Sequence, residues 1–188
     1  MDVSQEIEKS VRTLQEGKVL LYPTDTVWGI GCDATQDQTV QNIYRIKRRD
    51  ISKAMIVLVE SPERLSGLVE VPKVAWRLIY RAEKPLTIIY ENPQGVAPNL
   101  CAKGRTLAIR LTKDHFCKTL IKAINKPLVS TSANRSGNRT PLSFDQIEPG
   151  LLDEIDYAVN LRRKKNAHYK GSSVVKFSPD GEVQVLRK

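Results

Sequence analysis

A chain of 188 residues, 40% hydrophobic and 27% charged, can bury a core without disulfide or metal staples and is too apolar for disorder. Thirty Lys and Arg against 21 Asp and Glu leave a net charge of +9, which favours an anionic partner such as nucleotide, RNA or acidic lipid. No apolar run approaches the ~20 residues of a bilayer span, and the acidic start MDVSQEIEKS is unlike a secretory leader, so a cytoplasmic location is expected.

The spacing of Ile7, Val11 and Leu14 predicts a first helix from Ser4 to Glu16, stopped by Gly17. KVLLYP (Lys18 to Pro23) reads as a strand ended by a proline, running directly into a loop of Thr, Asp and Gly. Asp37 is the expected N-cap of a second helix with Val40, Ile43, Tyr44 and Lys47 on one side. Met55 to Val59 reads as a strand, followed by Pro-opened helices from Pro62 to Val69 and from Pro72 to Ala82. Leu86 to Tyr90 and Thr106 to Arg110 are strands divided by a loop holding Pro93, Gly95, Pro98 and Gly104. A helix from Asp114 to Ile124 leads into a strand, Pro127 to Thr131, and a polar loop. Beyond lie an acidic helix near Phe144 to Ile155, a short DYAV strand, a basic stretch, and a hairpin, SSVVKF and EVQVLR, turning at Ser178 to Gly181. Strands and helices interleave without a linker, which predicts three α/β layers around a mixed sheet in one domain over 1–188.

Three segments gather polar side chains. In YPTDTVWGIGCDA (Tyr22 to Ala34), the Thr24 and Thr26 hydroxyls and amides near Gly29 and Gly31 can hold a polar ligand at a strand end. The same residues can instead close a tight connection on their own backbone. RIKRRDISK (Arg45 to Lys53) sets five basic side chains against one acid within nine residues. That density suits a triphosphate, or a solvated cap on a helix C-terminus. STSANRSGNRTP (Ser130 to Pro141) can form an anion-binding nest after a strand, or a surface loop. Neither a P-loop nor a G-x-G-x-x-G motif occurs. Cys32, Cys101 and Cys117 are odd in number and lack C-x-x-C spacing, so they are expected to be incidental thiols. His115 and His168 lack metal-ligand spacing and are expected at the surface. LRRKKNAHYK (Leu161 to Lys170) is either a solvated face or a track for RNA phosphates.

In order and spacing, these segments resemble the YrdC-type family, the threonylcarbamoyl-AMP synthases that begin the t6A modification of tRNA. YPTDTVWGIGCDA is similar to the family's PT-[DE]-T-x-Y-G-L-G block, with Trp28 at the usual Tyr. KRRDISKAM resembles the K-x-R-x3-K-P-L block through Lys47, Arg49 and Lys53, with Arg48, Asp50 and Ala54 where Gly, Pro and Pro are usual. EKPLT stands where P-G-P-[LM]-T is common. TLAIR resembles the strand that supplies Thr106 and Arg110, Ser132 and Asn134 match the S-x-N block, and GSSVV is similar to the S-T-V-V block, Ser172 leading.

The resemblance implies an α+β, three-layer fold with an open, twisted mixed sheet flanked by helices, whose concave face holds ATP and L-threonine. It implies a nucleotidyltransferase that makes threonylcarbamoyl-AMP and pyrophosphate from L-threonine, bicarbonate or CO2, and ATP, for tRNA t6A37 biosynthesis. On the matching positions, Lys47, Arg49 and Lys53 would hold the ATP phosphates, Ser132 and Asn134 the nucleotide side, and Thr106 would lie beside the nucleotide. Thr26, Arg110 and Ser172 would hold L-threonine, Arg110 on its carboxylate. Such a reaction needs no protein nucleophile; positioning and charge neutralisation suffice. Mg2+ is expected on the triphosphate, with few protein ligands and several waters. Transfer to tRNA would fall to separate downstream t6A-transfer proteins. The competing expectation is a non-catalytic module or diverged paralogue binding tRNA or dsRNA, suggested by the net charge and the run Arg162 to Lys165. A third is a carbamoyl-adenylate enzyme with another acceptor.

Overall fold

Runs of alternating or continuous apolar residues put nine strands into one sheet among the described residues, in the order β7-β1-β2-β6-β3-β5-β4-β8-β9. These are β1 Leu20–Tyr22, β2 Gly29–Gly31, β3 Ile56–Val59, β4 Leu86–Glu91, β5 Thr106–Leu111, β6 Leu128–Ser132, β7 Tyr157–Ala158, β8 Ser173–Phe177 and β9 Val183–Arg187. The computed structural model describes residues 2–102, 104–167, 169, 171–178 and 182–188. The turn residues Pro179 to Gly181, with His168 and Lys170, therefore lie outside the described residues. The pairs β1–β7, β3–β5 and β4–β8 are parallel and the other five antiparallel, so the sheet is mixed.

Six helices flank it among the described residues: α1 Val3–Gln15, α2 Asp37–Lys47, α3 Pro62–Leu68, α4 Lys73–Arg81, α5 His115–Ile124 and α6 Pro149–Leu152. Side-chain caps start several of them, Asp2 on Ser4 N, Ser61 on Arg64 N and Asp114 on Cys117 N. On one face, Val40, Ile43, Ile46, Leu65, Leu68 and Ala75 from α2, α3 and α4 pack against Val57, Ile88, Ile109 and Val129. On the other, Leu14 of α1 and Phe116, Leu120 and Ile121 of α5 pack against Leu20, Tyr22, Leu58 and Leu128. Three layers result, as expected. The second helical layer covers only one end of its face.

Four local expectations are corrected. Asp37 is the first helical residue and not the cap; Gln36 precedes it in extended conformation without a side-chain cap. The segment Phe144 to Ile155 is no single helix: a 3-10 turn, Phe144–Gln146, is separated from the four-residue α6. Pro149 causes the break, because it disfavours helical geometry at Glu148 before it and brings no N–H of its own. Gly29–Gly31, read as loop, is a strand buried between β1 and β6. A side chain at Gly31 would put its Cβ 2.0 Å from the Val129 carbonyl oxygen and 2.9 Å from the Tyr22 ring. Only glycine allows that approach. A short 3-10 turn at Pro98–Leu100 was also hidden in the expected loop.

Candidate active site

The half-covered face of the sheet is where the polar segments meet. Register sets Ile56 of β3, which packs at the margin of the α1/α5 core, beside Ala108 of β5 and Ser130 of β6. These three floor a cavity of about 330 Å³ walled by Thr26, Trp28, Arg49, Arg110, Ser132, Thr140, Ser172 and Arg187. Five of the nine expected site residues, Thr26, Arg49, Arg110, Ser132 and Ser172, thus share one hollow.

Arg110 is buried, 4% exposed. One Nη lies 3.2 Å from Asp25 Oδ1, the other donates to Thr26 Oγ1 at 3.4 Å, and Nε is buried without a partner. Burial raises the pKa of Asp25, while Arg110 pulls it back. The β1–β2 connection is held by Thr24, whose hydroxyl donates to Val27 O at 2.7 Å and accepts from Thr26 N at 3.0 Å. Thr24 therefore closes the connection on its own backbone, while Thr26 lines the hollow.

Ser172 is buried, its hydroxyl 2.7 Å from Thr87 Oγ1. Arg187, which the sequence reading missed, donates to Ser172 O at 3.0 Å and to Ser172 Oγ at 3.3 Å. Its pKa is lowered, first by burial and then by the nearby Arg110. Two guanidinium groups in the lining of one small cavity, Arg110 buried and Arg187 on an exposed edge strand, favour an anion beside them. Arg187 arrives by a register shift: Val175 pairs with Val185, but Val174 pairs with Arg187, leaving Leu186 as an extra residue. That bulge turns Arg187 onto the Ser172 side.

Arg49 folds the loop before β3, donating to Lys53 O and to Ala54 O, both at 2.9 Å, while its side chain walls the cavity. Lys53 is exposed beside it. Thr106 opens β5 on the same face as Ala108 and Arg110, one step beyond the cavity wall. Asn134 accepts from Ser132 Oγ at 2.6 Å and donates to Asn138 O at 2.7 Å, so it shapes the loop without lining the hollow. Lys47 lies behind the wall, its Nζ donating to the carbonyls of Ser132 and Asn134.

The basic stretch after β7 is partly consumed by the fold. Arg162 pairs with Asp114 at 2.5 Å. Arg163 donates to Ala158 O at 2.8 Å and sits 4.3 Å over the Phe144 ring, which itself meets Trp28 edge-on. Lys164 and Lys165 stay exposed, as does His115. Cys32 and Cys117 are buried thiols, and burial raises the pKa of both. Among the described residues no cluster of His, Cys, Asp and Glu is arranged to hold a metal ion, and no helix is long and apolar enough to cross a membrane. A larger cavity of about 480 Å³ lies beside α4, lined by Ile79, Tyr80, Leu86 and Leu111 with lysines at its edge and no arginine.

Fold and hollow define an α/β protein with an arginine- and hydroxyl-walled cavity on the uncovered half of an open mixed sheet. The Sua5/YciO/YrdC family model, described as telomere recombination, matches residues 12–188, and the chain belongs to that family. A threonylcarbamoyl-AMP synthase of Pseudoalteromonas translucida is 32% identical over 181 residues, covering 94% of this chain and 95% of that protein. One from Saccharophagus degradans is 34% identical over 158 residues, covering 82% and 83%. Among solved structures, a doubly substituted P. abyssi Sua5 superposes with a TM-score of 0.88 at 25% identity, over 100% of this chain and 57% of that one. E. coli YciO gives 0.82 at 23% identity, over 98% of this chain and 89% of that one. A further P. abyssi Sua5 structure, with a TM-score of 0.87 at 24% identity, is a complex with L-threonine.

Proposed function

We propose that this protein is an L-threonylcarbamoyladenylate synthase, forming threonylcarbamoyl-AMP and pyrophosphate from L-threonine, bicarbonate or CO2, and ATP. The observation that carries the proposal is the pair of arginines, Arg110 and Arg187, lining one small cavity together with the hydroxyl residues Thr26, Ser132 and Ser172. That arrangement suits a reaction whose two partners are both anionic, a carboxylate-bearing amino acid and a triphosphate. The names of relatives at 32% and 34% identity support the same activity.

In this proposal Arg110 pairs with the threonine carboxylate, while Thr26 and Ser172 contact its polar groups. Arg49 and Lys53 take the phosphates, Ser132 and Thr106 the rest of the nucleotide, and Asn134 keeps Ser132 in place. The threonine amine adds to CO2 as a carbamate. A carbamate oxygen then bonds to the α-phosphorus as the α–β bridging P–O bond breaks, and pyrophosphate leaves with that oxygen. Protein groups align the reactants and offset their mutual repulsion. Mg2+ would arrive with the triphosphate as part of the substrate, because among the described residues no carboxylate lines the cavity and nearby Asp25 is engaged with Arg110. The product would pass to separate proteins that modify tRNA. An RNA-tracking role for the basic stretch is the weaker alternative, since Arg162 and Arg163 are tied inward.

The test is pyrophosphate release from ATP, Mg2+ and bicarbonate with and without L-threonine. Release that depends on threonine is expected. Release indifferent to the amino acid, or none, would refute the proposal.

A further inference from the structure

Lys47 is 1% exposed, and among the described residues no carboxylate pairs with it. A buried ammonium of this kind is costly unless its N–H groups are bonded. The bonds it has are all to one loop: Nζ donates to Ser132 O and, at 2.6 Å, to Asn134 O. Burial, helped by Arg49 and Arg135, lowers its pKa from 10.5 to about 7. The loop answers in kind. Ser136 N donates to Lys47 O at 2.7 Å, and the Arg135 guanidinium donates to Ile46 O. The last carbonyls of a helix have no partner within it, and here the loop after β6 supplies the donors. The end of α2 and residues 132–136 thus hold each other from both sides.

Carbonyl oxygens turned toward a triphosphate would repel it. Bonded to Lys47, those of Ser132 and Asn134 face the interior, while Ser132 itself lines the cavity. We propose that Lys47 is a positioning residue, which keeps these two carbonyls inward and so aims the Ser132 hydroxyl at the nucleotide, without touching phosphate itself. The proposal rests on the reading that the cavity takes ATP.

Calorimetric binding of AMP, ADP and ATP to the wild type, Lys47→Met, Lys47→Gln, Ser132→Ala and the Lys47→Met/Ser132→Ala double variant tests it. Lys47→Met should lose affinity by about tenfold, equally for all three nucleotides. Lys47→Gln, which donates without charge, should recover part of the loss, and Lys47→Met should add little once Ser132 is alanine. Losses that grow from AMP to ATP, no recovery by Gln, and additivity with Ser132→Ala would overturn it. Absence of nucleotide binding by the wild type would instead refute the functional reading, and this proposal with it. Should the variants not fold, a wild-type measurement decides: with 13C-labelled lysine, the Lys47 titration midpoint should stay in place on adding ATP, and a rise of about one unit would mark direct phosphate contact.

Discussion

Replacing Arg110 by Met keeps an apolar stem in the sheet and removes a guanidinium that touches Asp25, Thr26 and the open cavity. A hydrogen bond to a charged partner contributes about 1–3 kcal/mol, so losing the carboxylate anchor should raise the threonine requirement roughly 5- to 150-fold. ATP lies on the other side of the hollow in the proposed arrangement, so its KM should change much less. The substitution also strands Asp25, whose pKa is already raised by burial and is restrained by Arg110. Without that restraint the folded-state pKa rises further above the unfolded value. The contribution of a group raised in this way is fully present below the unfolded pKa and is lost as pH rises through the folded one. The variant should therefore lose melting temperature relative to wild type progressively from acidic to neutral pH. Steady-state kinetics with each substrate varied, and thermal melts from pH 4 to 8, measure both effects. An ATP requirement that rises while that for threonine stays constant would show that the roles are exchanged. A pH-independent stability difference would show that Asp25 is not coupled to Arg110.

Arg49→Ala should weaken ATP binding more than Lys53→Ala, because Arg49 both walls the cavity and ties the loop through Lys53 O and Ala54 O; calorimetry giving the opposite order would contradict this. Arg187→Ala should lower kcat/KM roughly tenfold through lost charged hydrogen bonds, while the exposed neighbour Leu186→Ala leaves it unchanged. Gly31→Ala forces Cβ onto Val129 O at 2.0 Å and should cost at least about 3 kcal/mol, a melting shift of roughly 6–12 °C. A soluble variant melting within a degree or two of wild type would mean that β1, β2 and β6 pack differently.

What the sequence made legible was the material with strong periodicity. Ile56–Val59, Leu86–Glu91, Thr106–Leu111 and α5 fall within a residue or two of expectation, because continuous apolar runs and a capping aspartate determine them locally. β2 was hidden because a Gly-Ile-Gly strand has almost no strand propensity of its own; it exists because Tyr22 and the β6 backbone need its missing side chains. For the candidate site, clusters of hydroxyls and cations marked segments that meet at one cavity, and five of the nine residues reach it. Composition does not reveal which way a lysine turns, so Lys47 looked like its neighbours in RIKRRDISK although it is buried against a loop 85 residues away. Arg187 was missed for a different reason. Simple alternation puts it on the same face as Val183 and Val185, and only the register shift sends it to the other.

The bulge between β8 and β9 makes one wall of the hollow depend on how an edge strand is paired rather than on which residues it contains. Pairing without the extra residue would set Leu186 beside Val174 and carry Arg187 to the opposite face. A slip of one position in β9 would therefore strip a cation from the cavity while leaving the sequence of its lining intact.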